Sequence, residues 1–199
     1  MGRILDLNAV GIRLPDPIVV DANVVTARLL ASYSGHHRLG PPRADRFFAD
    51  LIANSAVGIV TPMVFNEIIH VALKIRYQGE LSAYRTNLVA RYGTRGRYTW
   101  LDLSKLDPTI IQRYAVGLEQ LRQQLVANHL LVIGHDDLGA IPSGLPYDQE
   151  LVRLVGRYGL DSSDAAILLE AQRAGIPNLV TLDRDMQRAS VDFDVYTWL

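Results

Sequence analysis

Cysteine is absent from this chain of 199 residues, which excludes a disulfide framework and a thiolate metal site alike. Lysine is almost absent, with only Lys74 and Lys105, so arginine supplies nearly all the positive charge. No uninterrupted apolar run reaches membrane-spanning length, and Met1-Gly2-Arg3-Ile4-Leu5-Asp6 lacks the long apolar stretch of a secretory signal. A soluble, cytoplasmic protein with no membrane partner is the expectation. An excess of one charge sign is missing too: the formal net charge is −1, and affinity for a polyanion must come from a local patch. There is no internal repeat and no low-complexity tract. Apolar residues are plentiful, at 49% against 21% charged. That suffices for the core of one domain, with or without an insertion.

Short apolar runs alternate with helical patterns. Strands are expected at about residues 18–23, 57–60, 130–133 and 178–183, with a final edge strand at 193–198. Helices are expected at about 24–33, around Phe47, Phe48, Leu51 and Ile52, and then at about 108–128, 145–158 and 162–174. Another begins at Thr61-Pro62, Thr61 as N-cap and Pro62 as first helical residue, and runs to about Tyr77. Residues 79–107 are too many for a loop. They read as a partly helical insertion within a single domain spanning residues 1–199. Alternation of strand and helix predicts an α/β fold with a parallel sheet covered on both faces.

Four carboxylates stand far apart, each where such a fold brings it to one edge of the sheet. The run Ile18-Val19-Val20 ends on Asp21, and Asn178-Leu179-Val180-Thr181-Leu182 ends on Asp183. Glu67 and Asp164 fall early in two strongly apolar helical patterns. Open parallel sheets bind ligands beyond the carboxyl ends of their strands, so the four acids are expected to converge there. Clustered carboxylates repel unless protons or a hard cation intervene, and Mg²⁺ or Mn²⁺ suits an all-oxygen site. Metal-dependent phosphodiester chemistry is the function this pattern suggests.

Each acid also has a plain structural reading. Asp21 at a strand end begins a loop or caps the next helix. Asn23 either orients Asp21 or a metal-bound water, or caps the helix from Val24. Glu67, set among Val64, Phe65, Ile68 and Ile69, is a ligand or half of a structural ion pair, since burying a lone charge is costly. Asp161-Ser162-Ser163-Asp164 matches a capping box with Asp161 as N-cap. That is compatible with a catalytic Asp164, because a helix N-terminus steadies a carboxylate. Asp183-Arg184-Asp185 is a ligand set with Asp185 as an outer contributor, or a solvated turn. Asp136 and Asp137 follow an apolar strand but head a Gly/Pro-rich loop near the sheet edge, and are left out. His70 reads as structural, and His36 and His37 as solvated.

Taken together, Asp21-Ala22-Asn23 after a strand, Asn66-Glu67 in a helix, Asp164-Ala165 opening a late helix, and Thr181-Leu182-Asp183-Arg184-Asp185 after a strand resemble the PIN-domain nucleases. The match keeps their order and covers most of the chain from Ile18 to Leu199. It implies a three-layer α/β/α sandwich with a mostly parallel central sheet. It implies a Mg²⁺- or Mn²⁺-dependent ribonuclease whose catalytic and metal-holding acids are Asp21, Glu67, Asp164 and Asp183. Asp185 would be a further metal contributor, and Asn23 and Thr181 would meet the substrate. Many members are VapC-like toxins of type II toxin–antitoxin modules, so an antitoxin protein and a homodimer are the protein partners implied. This chain is longer than the compact toxin type, with its surplus between Gly79 and Asp107 and in residues 136–147.

Between Leu81 and Leu101 stand Arg85, Arg91, Arg95 and Arg97 and no acid, interleaved with Tyr84, Tyr92, Tyr98 and Trp100. Guanidinium on phosphate and ring on base is the chemistry that holds single-stranded RNA. Arg91, Arg95 and Arg97 are therefore substrate-binding candidates; the competing reading is a solvated insertion whose rings pack back on the body. Two other acid-using enzymes on α/β sheets fit poorly. An aspartate-nucleophile phosphatase wants an acid where Asn23 stands, and both it and a phospho-acceptor receiver want a late lysine, whereas none follows Lys105. A non-catalytic RNA-binding or scaffold protein on the same fold is the alternative.

Overall fold

Side chains of a β-strand point alternately to opposite sides, so a run of Ile, Val and Leu needs cover on both faces. The computed structural model describes residues 2–9, 12–30 and 40–199, and meets that need with one sheet between helices. Its strands are β1 (Ile4–Asp6), β2 (Ile18–Val20), β3 (Gly58–Val60), β4 (Leu130–Val132), β5 (Asn178–Val180) and β6 (Asp194–Thr197). They lie in the order β1-β6-β5-β2-β3-β4, and every neighbouring pair is parallel. The central strands β2 and β3 are buried throughout. Gly58 is needed where they meet, because a Cβ there would lie 2.4 Å from Leu130 Cδ2 and 2.8 Å from Val20 Cγ2.

The helices are α1 (Ala22–Leu29), α2 (Gly40–Ala53), α3 (Pro62–Glu80), α4 (Arg85–Tyr92), α5 (Trp100–Leu106), α6 (Thr109–Ala127), α7 (Tyr147–Tyr158) and α8 (Ser162–Arg173). Parallel connections are right-handed. The crossover from β2 to β3 therefore puts α1 and α2, which pack together, on one face. The return from β4 to β5 puts the paired α7 and α8 on the other. The result is a three-layer α/β/α sandwich. Among the described residues, no helix is long and apolar enough to cross a membrane.

Three expectations change. The last strand is not an edge: β6 lies between β5 and β1, since the N-terminal segment supplies a strand that pairs Ile4 with Val195. Helix α1 starts at Ala22, two residues early, which makes Asp21 rather than Asn23 its N-cap residue. Helix α3 does start at Pro62, but the fully buried Thr61 hydroxyl has no partner among the described residues. The Met63 N–H instead donates to Glu170 Oε2, 2.8 Å away on α8.

The chain separates into two compact units, one formed by Met1–Ile68 with Gln124–Leu199, the other by Ile69–Gln123. The second is wider than the expected insertion at 79–107. It has a core of its own, in which Tyr77, Leu88, Tyr98, Leu103 and Ile110 are buried against partly buried Tyr84, Tyr92 and Trp100. His70 stacks edge-on against Trp100 at 5.2 Å, the structural role expected of it.

Candidate active site

Strand order reverses between β2 and β5: from β2 the chain builds outward through β3 and β4, and from β5 through β6 on the other side. Ligands of open parallel sheets lie at such a switch point. The register pairs Val20 with Val180, so the next residues, Asp21 and Thr181, leave the sheet side by side. Two apolar runs have thus delivered one acid and one hydroxyl to the same spot.

The hydroxyl fixes the acid. Thr181 Oγ1 donates to Asp21 Oδ2 at 2.6 Å, and Asn23 Nδ2 donates to the same oxygen at 2.7 Å. Asn23 Nδ2 also reaches Thr181 Oγ1 at 3.2 Å, while its Oδ1 accepts the Leu182 N–H at 3.0 Å. Thr181 Oγ1 accepts the Asp183 N–H at 2.9 Å. These bonds tie the end of β2 to the loop after β5. They also occupy the polar atoms of Asn23 and Thr181, expected to meet the substrate; Thr181 is wholly buried. The structure gives both residues the work of holding Asp21.

Asp161 caps α8: its carboxylate accepts the Asp164 N–H at 2.9 Å. The reciprocal half of the capping box is missing, so the Asp164 carboxylate takes no part in the cap and is left for other use. It is half-buried and its pKa is pushed up to about 7, first by burial and then by the charges of Asp161, Asp21, Asp183 and Asp185. Asp21 is pushed up to about 6, again by burial first; the Thr181 bond opposes this and the charge of Glu67 adds to it. Glu67 is raised by burial, which the Ser163 hydroxyl partly offsets, and then by Asp164 and Asp161. Asp21, Glu67 and Asp164 thus lie within the field of other acids.

Asp183 and Asp185 stand at the rim. Asp183 Oδ1 accepts the Asp185 N–H at 2.8 Å, the turn expected as the plain reading. Asp185 is exposed and paired with Arg188 at 2.7 Å. The donor set is all oxygen and mutually repulsive, the chemistry of a hard divalent cation. No closed coordination shell exists, however: among the described residues no group of three or more His, Asp or Glu is placed to hold an ion. Asp136 and Asp137 follow the edge strand β4 and are exposed, Asp137 accepting the Gly134 N–H at 2.7 Å. His36 and His37 lie outside the described residues.

Sequence reasoning passed over Ser163, whose hydroxyl partly offsets the burial of Glu67, and Glu170, which is 3% exposed and caps α3. Glu170 carried the signal used for Glu67, an acid inside an apolar run (Ile167-Leu168-Leu169-Glu170-Ala171).

In the second unit Arg85, Arg91, Arg95 and Arg97 are all exposed. Arg95 pairs with Asp102 at 3.6 Å and lies 5.5 Å above the Tyr92 ring. The rings pack inward, nearer the competing reading than a stacking platform. Tyr98 is 7% exposed with its hydroxyl on the Gly93 carbonyl, and the Tyr84 hydroxyl donates to Asp107 at 2.7 Å. They are the core of their own unit.

No family model and no curated protein matches the chain. Among solved structures it is similar to that of PAE2754 from Pyrobaculum aerophilum, at 17% identity over 96% of this chain and 90% of that one, with a TM-score of 0.39.

Proposed function

We propose that the chain is a Mg²⁺- or Mn²⁺-dependent endoribonuclease that hydrolyses RNA phosphodiester bonds. The observation that carries this reading is the pairing of Val20 with Val180 at the switch point, which sets Asp21 beyond the carboxyl ends of the strands, with Asp21, Glu67 and Asp164 raised first by burial and then by neighbouring acids. A folded protein that buries carboxylates near one another, with no cationic partner for Asp21, Glu67 or Asp164 among the described residues, favours a counter-charge from outside. Asp21, Glu67, Asp164 and Asp183 would hold the ion, with Asp185 at the rim. When bound, a divalent ion lowers the pKa of an attacking water and offsets charge on the phosphate. Asp21 contributes a carboxylate whose orientation is set by Thr181 and Asn23. Glu67 and Asp164 have oxygens left to orient the water. Exposed Arg91 and Arg97, with Arg95 more weakly, supply positive charge for the RNA backbone.

The second reading, a non-catalytic RNA-binding protein on this fold, draws on the absence of a three-residue metal-holding group among the described residues. Purified protein incubated with single-stranded RNA decides between them. Cleavage that needs Mg²⁺ or Mn²⁺ and stops in excess EDTA, with circular dichroism unchanged, supports the nuclease; cleavage that persists in EDTA, or none with either metal, overturns it. A toxin role would extend the reading. A small upstream reading frame encoding a DNA-binding N-terminus and an amphipathic tail would support it.

A further inference from the structure

A cavity of about 680 Å³ opens beyond β3 and β4, lined among others by Met63, Phe65, Asn66, His135, Tyr147 and Glu170. Its polar heart is Glu170, 3% exposed, with one carboxylate oxygen on the Met63 N–H. No other hydrogen bond reaches this carboxylate from the described residues, and no basic side chain pairs with it. A carboxylate has about four acceptor positions, and leaving buried acceptors so thinly partnered is costly. Thr61, one residue before the cavity-lining Pro62, adds a second deficit, for its buried hydroxyl has no partner among the described residues. The Tyr147 hydroxyl lies in the field of Glu170. The walls are of another kind: the Phe65 and Tyr147 rings and the Met63 side chain. Flat apolar walls around an acceptor-only group select a flat ring carrying adjacent hydrogen-bond donors on one edge.

From this geometry we infer that the cavity is a nucleobase pocket for guanine, with Glu170 accepting from its N1–H and exocyclic amino group and the ring lying against Tyr147 and Phe65. Bases extruded from single-stranded RNA are held in this way, stacked on aromatic rings and read on their Watson–Crick edges. Adenine and cytosine present one donor group beside an acceptor on that edge, and uracil one donor between two acceptors, so none matches a carboxylate as fully. The relevance of such a base rests on the ribonuclease reading. Asn66 lines the cavity and the next residue, Glu67, belongs to the carboxylate group.

The test uses the metal-free full-length protein and uncharged nucleosides, so that neither catalysis nor phosphate attraction contributes. Guanosine is expected to shift amide resonances around Met63, Tyr147 and Glu170. Inosine, which lacks the amino group, should bind about tenfold more weakly, and adenosine and cytidine weaker still. Glu170→Gln should cost about tenfold or more. Since Glu170 also caps α3, the exposed Tyr147→Ala, which removes only the ring, provides a second variant with the same expected loss. Guanosine binding should survive Asp164→Asn, so the pocket and the nuclease reading can fail separately. Equal binding of all four nucleosides, no binding at millimolar concentration, or preference for N-acetylarginine amide (a peptide site) would overturn the proposal.

Discussion

Acids at the carboxyl end of the sheet and acids in the Ile69–Gln123 unit are treated in opposite ways. Asp21, Glu67 and Asp164 are raised above the ordinary carboxylate range by burial and by one another. In the second unit Asp102, Asp107 and Glu119 are all lowered. Asp102 is held by Thr99, in a capping box at the start of α5, and by Arg95. Asp107 is held by Thr109 and Tyr84, and Glu119 by Arg122. An acid whose donors outweigh its burial serves local structure. Acids raised by burial and by neighbouring acids, in spite of the Thr181 and Asn23 bonds to Asp21, weaken a metal-free fold, and their persistence at a switch point is intelligible if something binds there.

The largest expected effect tests that contrast directly. Asp21→Asn and Asp164→Asn should each lower RNA cleavage by about a hundredfold or more, without lowering the thermal midpoint of the metal-free protein. Asn keeps an oxygen for the Thr181 hydroxyl, and the cap of α8 belongs to Asp161. Asp161→Ala, by contrast, should cost about 1 kcal/mol of stability. A large loss of stability in Asp164→Asn would return Asp164 to the structural column.

The second effect is on stability against pH. Asp21 lies near 6 in the fold against an ordinary value of 3.8, so the metal-free native state holds this proton more tightly than the unfolded chain. Its contribution therefore falls as pH rises from about 4 to 7, on the order of 3 kcal/mol for a shift of that size, or roughly 5–10 °C. Asp102, Asp107 and Glu119 have the opposite sign: their stabilisation is complete above the ordinary carboxylate range and is lost as pH falls through their lowered values. Hydrogen exchange resolved by region should therefore show the sheet unit loosening from pH 5 to 8 and the second unit loosening below pH 4. Mg²⁺ or Mn²⁺ should raise the midpoint more at pH 8 than at pH 5. A parallel response of both regions would break the comparison.

Smaller effects are expected from the arginines. Each guanidinium that neutralises a phosphate adds roughly 0.7 to the magnitude of the salt slope for a single strand. Arg91→Ala and Arg97→Ala should each flatten it by up to that amount in a fluorescent-RNA titration, using Ca²⁺ if it blocks turnover. Arg95→Ala should do less, because Asp102 and Tyr92 already engage it. The smallest effect is that of Tyr98→Phe, which should cost about 1 kcal/mol and leave RNA affinity unchanged. A loss of affinity there would restore the ring to the nucleic-acid surface.

The apolar runs, their alternation with helices and the acids placed at their ends were legible in the sequence, because burial on both faces and helical periodicity are local patterns. From them came the parallel sheet and the expected start of α3. Other features depend on which segments end up adjacent. Thr181 looked available to a substrate, and Asn23 to a substrate, a helix cap or Asp21, until the pairing of Val20 with Val180 set both on Asp21. The last strand looked like an edge until Ile4 paired with Val195. Tyr84 and Tyr98 were open to two readings, a stacking platform or rings packed inward, until they closed a core of their own. Composition and periodicity by themselves determined the class of fold and the acids at the strand ends. Tertiary structure alone decided which polar atom each acid, hydroxyl and ring would find, because such partners are residues far apart in the chain, over 150 positions in the case of Asp21 and Thr181.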